Sequence, residues 1–261
     1  MIALSLRERE GVRESLMLDS VSSIREKYLY TLDEIAVAAR KSDRDPNQIR
    51  LVVVTKSQPL EVVQAAVEAG VRDLGENYAE EGVTKIQSLP QQTGVEWHMI
   101  GHVQSRKARP VAEHFALLHS LDSLKLATRL DRFAGEANRI MPVLLEVNVG
   151  GEASKFGWEA SDETKWDMLL QELAAIIELP HLRVQGLMTM PPLGTNAEDS
   201  RRFFRQLRLL RQWLARQLPG ADWRELSMGT SADYAVAVEE GATLVRVGTA
   251  IVGERKSTSE N

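Results

Sequence analysis

Lys56 directly follows the β-forming run Leu51-Val52-Val53-Val54-Thr55, and a lysine in that position can do chemistry. At a strand end the ammonium is partly desolvated and set among other donors, which lowers its pKa and frees the amine to attack a carbonyl. An isolated strand-end lysine is ordinarily a solvated charge. Two further segments alter that reading. Ser227-Met228-Gly229-Thr230-Ser231 joins hydroxyls to a glycine that permits close backbone approach, and Gly248-Thr249 repeats the pairing. Such segments are also plain turn chemistry. After the last two strands of a (β/α)8 barrel, however, their N–H and hydroxyl groups form a phosphate cradle. A carbonyl-seeking amine and a phosphate cradle in one barrel mouth suit a phosphorylated aldehyde cofactor.

The elements that would position these residues are legible as an alternation. Short β-prone runs fall at 51–55, 72–75, 96–100, 115–119, 143–149, 183–188, 224–227 and 244–247. Helical patterns lie between them, as at 60–69, 124–137, 165–177, 199–218 and 234–239. Strands alternating with helices through short connections imply right-handed βαβ units and a parallel sheet. Eight such units predict one closed (β/α)8 barrel, an α/β TIM-barrel fold. A helix precedes them, with Val21, Ile24, Tyr28, Leu32, Ile35 and Ala39 at three-to-four spacing. The expected organisation is a flexible or loosely helical extension over residues 1–20, a barrel over 21–255 and a disordered tail over 256–261.

In such a barrel the strands' carboxyl ends carry the chemistry. Those ends deliver Lys56, then Gly75-Glu76-Asn77-Tyr78, Gly101-His102, Met188-Thr189-Met190, Ser227 to Ser231, and Arg246-Val247-Gly248-Thr249. Composition narrows the classes. The 261 residues are 43% hydrophobic and 26% charged, with a formal charge of −5, so there is no general attraction for nucleic acid. With no cysteine, disulfides, thiolate metal sites and a cysteine nucleophile are excluded, in keeping with a reducing cytoplasm. Neither a secretory signal nor a membrane-spanning run is evident.

The segment Trp97-His98-Met99-Ile100-Gly101-His102-Val103-Gln104-Ser105-Arg106-Lys107 closely resembles the signature of the pyridoxal 5′-phosphate (PLP) homeostasis protein family. Leu74 to Tyr78, Gly186 to Met190, Leu226 to Gly229 and Val245 to Ile251 support it in the right order, so the resemblance covers roughly residues 24 to 253. The chain departs from the usual pattern at Ser57-Gln58, at Val252 and in its N-terminal extension. The resemblance implies a fold-type III barrel like the alanine racemase N-terminal domain, with PLP held as an aldimine on Lys56. Asn77 would lie near the ring, with Met99 and Met188 as packing neighbours. Ser227, Gly229, Gly248 and Thr249 would hold the phosphate. Arg246 matches a position that contacts the pyridine nitrogen in alanine racemases, and within this family it serves either that role or phosphate binding.

An arginine at the ring nitrogen disfavours its protonation and leaves a weak electron sink. Racemases on this barrel add a tyrosine acid/base from a separate β-domain, for which no sequence is expected to remain here. A racemase exchanges a proton at both faces of Cα, and Tyr28, Tyr30, Tyr78 and Tyr234 offer no obvious substitute. The expectation is therefore a cytoplasmic, monomeric PLP carrier rather than an enzyme, with PLP-dependent apoenzymes as recipients and no nucleic-acid or membrane partner. The alternative is a fold-type III PLP enzyme, such as an amino-acid racemase. No metal site is expected: His98 and His102 straddle a strand end rather than sharing a helix face. Glu80-Glu81, Glu239-Glu240 and the arginines between 201 and 216 read as surface charge. The stripe Phe203, Leu207, Leu210 and Leu214 fits a helix packed on the sheet.

Overall fold

Runs of Val, Leu and Met bounded by turn residues become short strands because both faces of a parallel barrel are buried. The computed structural model describes residues 6–90, 94–192 and 196–254. Helix α1 (Leu6–Lys41) leads into strand β1 (Arg50–Val54). There follow α2 (Leu60–Glu68), β2 (Asp73–Glu76), α3 (Ala79–Ser88), β3 (Glu96–Met99), α4 (Ala108–His114), β4 (Leu117–Leu121), α5 (Leu124–Glu136) and β5 (Met141–Asn148). A two-residue strand, β6 (Trp158–Glu159), attaches to the end of β5. Then come α6 (Leu170–Ile177), β7 (Leu182–Met188), α7 (Arg201–Gln217), β8 (Glu225–Thr230), α8 (Tyr234–Glu239), β9 (Leu244–Val247) and α9 (Thr249–Val252).

The strands other than β6 pair in parallel around a closed ring. Val53 on β1 lies opposite Leu74 on β2 and Val247 on β9, and Leu121 on β4 opposite Leu145 on β5. This is the eight-stranded barrel expected from the alternation. The strand expected at 115–119 begins two residues later. The helix expected from Val21 starts at Leu6, while residues 1–5 and the expected tail at 256–261 lie outside the described residues. Among the described residues no helix is long and apolar enough to cross a membrane.

Period-two alternation divides each strand between two cores. Outward residues such as Leu51, Val53, Val143 and Leu145 pack beneath the helices, joined by Phe204, Leu207, Leu210 and Leu214 of α7. The buried stripe of that helix runs through Phe204 rather than the expected Phe203. Inward, Val52, Leu117, Leu144, Met188 and Leu244 form a small separate layer in the barrel lumen. The lumen also holds buried polar groups, His98, His119, Ser227 and Arg246.

Charge closes the amino-terminal end. Arg50 begins β1 and reaches Glu96 at 3.1 Å, Asp73 at 3.5 Å and Glu225 at 3.8 Å, all near the starts of their own strands. The expectation that Glu239-Glu240 is plain surface charge is corrected. Arg201 on α7 bridges Glu239 at 2.6 Å and Glu240 at 3.1 Å, and Lys41 on α1 also meets Glu239 at 2.6 Å. These pairs tie α1 and α7 to α8, the helix behind the glycine-and-hydroxyl strand.

Among the described glycines, Gly186 marks the tightest backbone approach. Its φ is +150°, and a Cβ there would fall 1.9 Å from the carbonyl oxygen of Glu225 on the neighbouring strand. Gly186→Ala is therefore expected to destabilise the fold by about 3 kcal/mol, whereas Gly220→Ala, whose Cβ would meet only Ile177 at 3.6 Å, should change stability by about 0.5 kcal/mol or less. Urea unfolding of both variants measures the difference.

Candidate functional site

A turn with unusual backbone geometry presents Lys56. Three residues past β1, the chain reverses with Ser57 at φ +58°, a left-handed conformation uncommon for a non-glycine residue. Three contacts hold it. The Ser57 N–H donates to Glu81 Oε1 at 2.7 Å, the Gln58 N–H to the Thr55 carbonyl at 3.0 Å, and Gln58 Nε2 to the Gly253 carbonyl at 3.1 Å. Beneath it sits an ion cluster. Lys85 Nζ donates to the Thr55 carbonyl at 2.7 Å, to Glu76 Oε1 at 2.8 Å and to Glu81 Oε1 at 2.6 Å. Burial pushes the Glu76 carboxyl up while Lys85 opposes it. Glu81, expected to be surface charge, therefore braces the loop that carries Lys56.

Lys56 lines a cavity of about 360 Å³ at the carboxyl ends of the strands, with Asn77, His102, Glu146, Met188, Ser231, Arg246, Gly248 and Thr249 among its other walls. This size suits a small organic ligand. The β1–β9 register sets Val53 against Val247, so the Gly248-Thr249 turn emerges beside the Lys56 turn. A Cβ on Gly248 would lie 3.2 Å from the Val54 carbonyl oxygen, which is why glycine suits that close approach. The Gly248 N–H faces Ser231 Oγ at 3.4 Å.

Of the nine residues expected at the site, Lys56, Asn77, Met188, Arg246, Gly248 and Thr249 share this cavity. The other three stand apart. Met99 is buried and lines an adjacent cavity with Tyr78, Arg106 and Lys107. Gly229, at φ +90°, lets α8 pack on its strand, since a Cβ would come within 2.5 Å of the Ala237 Cβ. Ser227 is wholly buried, and its hydroxyl is already engaged: it accepts from Arg246 Nη1 and lies 2.7 Å from His119 Nδ1. The hydroxyl that does line the cavity from this segment is Ser231.

Arg246 crosses under the cavity. Its Nη2 donates to the Thr189 carbonyl at 3.0 Å and meets Met190 Sδ at 2.9 Å. Burial pushes the guanidinium down to about 10, with Asp233 and Glu146 opposing the change, so it stays charged at neutral pH.

Several cavity residues were not assigned to the site from the sequence. His102 is held by Asp122, Nδ1 to Oδ2 at 3.0 Å, and its ring stacks on Phe156 at 3.8 Å and 13°. Only the fold brings those three loops together. Glu146 did carry a signal, a lone carboxylate inside the apolar strand Val143 to Val147. Its Oε2 is buried without a hydrogen-bond partner among the described residues. Burial first, then nearby Asp122, pushes its carboxyl up to about 7.

The cavity thus combines a primary amine, a guanidinium, a hydroxyl and a glycine turn around a space suited to a small anion-bearing aldehyde. Comparison with known proteins agrees. Residues 33–256 match the family model described as alanine racemase, N-terminal domain. The pyridoxal phosphate homeostasis protein of Vibrio alginolyticus is 38% identical over 239 residues, covering 90% of this chain and 99% of that one. The solved structure of PipY from Synechococcus elongatus with PLP bound shares 38% identity at a TM-score of 0.72, covering 84% of this chain and 100% of that chain. Alanine racemase from Clostridium difficile 630 shares the fold at 15% identity and a TM-score of 0.65, with only 57% of its length covered.

The raised Glu146 carboxyl has a consequence for stability. Its folded value of about 7 exceeds the unfolded carboxylate's, so its favourable contribution is complete below about pH 4 and is lost as pH rises through 7. Glu146→Gln is expected to be stabilising by about 2 kcal/mol at pH 8 and nearly neutral at pH 5. Denaturant midpoints at the two pH values check the sign.

Proposed function

The chain belongs to the pyridoxal phosphate homeostasis proteins, whose barrel is the alanine racemase N-terminal domain, and we propose that it binds PLP reversibly in the cavity around Lys56 for intracellular vitamin B6 homeostasis. The observation that carries this reading is the meeting of Lys56 with Arg246, Ser231 and the Gly248-Thr249 turn around one cavity. When bound, PLP supplies an aldehyde for covalent capture and a phosphate as an anionic anchor.

The chain's own residues divide the work. Lys56 provides the attacking amine, held in place by the Ser57 turn that Glu81 and Gly253 brace. Gly248, Thr249 and Ser231 hold the phosphate beside it. Asn77 and Met188 bound the ring, and Met99 supports the wall from the neighbouring cavity. Arg246 supplies the fixed positive charge. Glu146 exchanges a proton near neutrality within the same cavity. The binding function resides in residues 21–255, acting as a monomer in the cytoplasm and delivering PLP to apoenzymes. Carrying rather than turnover is supported by the relatives at 38–40% identity, which are named for pyridoxal phosphate homeostasis and not for an enzymatic reaction.

Purified protein mixed with PLP should develop a visible absorption band that borohydride bleaches, and Lys56→Ala should lack it. Turnover of any amino acid at roughly 1 s⁻¹ or faster, abolished by the same substitution, would overturn the carrier reading in favour of a PLP enzyme such as a racemase.

A further inference from the structure

A line of polar contacts runs through the barrel lumen from its amino-terminal end to the cavity. Asp73 opens β2 at the closed end, with its Oδ1 3.0 Å from His98 Nε2. His98 Nδ1 lies 2.9 Å from His119 Nε2, and His119 Nδ1 lies 2.7 Å from Ser227 Oγ. Ser227 in turn meets Arg246 Nη1. Five side chains from β2, β3, β4, β8 and β9 are joined in this way, and both histidines and Ser227 are fully buried.

With one hydrogen on each imidazole, the chemistry of the two ends orders every proton between them. A carboxylate only accepts and a guanidinium only donates. His98 Nε2 must therefore carry the hydrogen directed at Asp73. With that ring neutral, Nδ1 is bare and accepts from His119 Nε2. His119 Nδ1 is then bare and takes the hydroxyl hydrogen of Ser227, whose oxygen is left to accept from Arg246. Each donor polarises the next in the same direction. Burial, reinforced by the nearby charges of Arg246 and Arg50, keeps His119 neutral, as the ordering requires.

We propose that Asp73, His98, His119 and Ser227 form a proton-ordered chain that positions Arg246, fixing its guanidinium to meet an acceptor of the ligand in the cavity. Ser227 is thereby a positioning residue and not a phosphate ligand. A metal reading of the same end is weaker. Asp73, Glu96 and His98 bring ligand atoms within 4.8 Å of one another, but Arg50 already meets both carboxylates as their cation. The functional consequence rests on PLP being the ligand, whereas the ordering itself does not.

The test therefore has two independent arms. Long-range ¹H–¹⁵N correlation spectra of ¹⁵N-histidine-labelled protein without PLP, at pH 7.5, should show His98 and His119 both neutral, with hydrogen on Nε2 and bare Nδ1. Signals are assigned by their loss in His98→Gln and His119→Gln. An Nδ1–H tautomer or an imidazolium at either position would overturn the chain. In the second arm, His119→Leu and Ser227→Ala should each weaken PLP binding roughly 10-fold and shift the absorption band. His119→Gln, which keeps one donor and one acceptor, should stay within about 3-fold of the parent. Equal loss in the Leu and Gln variants, or parental affinity in all three, would overturn the positioning role. Failure of the parent protein to bind PLP would instead sink the ligand assignment and leave the tautomers to decide the chain.

Discussion

A permanent positive charge sealed inside a parallel barrel constrains everything around it. Arg246 is 4% exposed and its guanidinium cannot shed its proton at neutral pH, so it must be solvated by the protein itself. The Thr189 carbonyl, the Ser227 hydroxyl and the Met190 sulfur take its donors. No carboxylate forms a direct ion pair with it among the described residues. Asp233 and Glu146 act only at a distance, and Asp73 closes the buried hydrogen-bonded line at the far end. A cation compensated so indirectly keeps attraction to spare for an anionic ligand, which a contact ion pair would have cancelled. The lumen is polar on one side for this reason, while Val52, Leu117, Leu144, Met188 and Leu244 fill the rest.

The amine across the cavity is held by an opposite device. Lys56 precedes a left-handed Ser57, and that turn hangs on Glu81, whose other contact is the buried Lys85. Lys85 in turn grips the Thr55 carbonyl and Glu76, so helix α3 fixes the loop after β1 through charge-assisted bonds. The cluster costs desolvation, visible in the raised Glu76 carboxyl, and its return is a fixed orientation for the loop. Arg246 is thus rigid through the barrel lumen and Lys56 through the barrel wall.

The barrel and the core of the site were legible because both depend on local pattern. A β-run ending in Thr55-Lys56 places its lysine at a strand end whatever lies elsewhere, and Gly248-Thr249 after the final strand reads as a turn that opens a helix. What escaped depends on strands remote in sequence. Ser227 looks like a phosphate hydroxyl beside Gly229 and Thr230, yet inward-outward alternation turns it into the lumen toward His119, 108 residues away. Ser231, four residues on, reaches the cavity instead. His102, Asp122 and Phe156 belong to three separate loops, and no spacing rule joins them. Glu146 was readable in principle, since a lone acid in an apolar inward register is costly unless it has work to do. Glu81 and Glu239 show the converse error: charges in helical segments were assigned to solvent, but their partners came from neighbouring elements.

Residence and release place conflicting demands on the proposed carrier, and the electrostatics of the cavity suit both. Holding an anionic ligand calls for fixed positive charge, which Arg246 supplies at all physiological pH values. Letting go of a covalently held aldehyde calls for a group that passes protons near neutrality without being a strong base. Glu146 suits that role in the proposed function: its Oε2 has no hydrogen-bond partner among the described residues, and burial pushes its carboxyl up to about 7. Racemisation at a carbon centre would need two groups on opposite faces of the substrate, each tuned and each held. His102 is fixed to Asp122 and stacked on Phe156, so it is braced as a wall of the cavity rather than free to swing toward a second face. One carboxyl and one amine on the walls of the same cavity are what the proposed reversible capture uses.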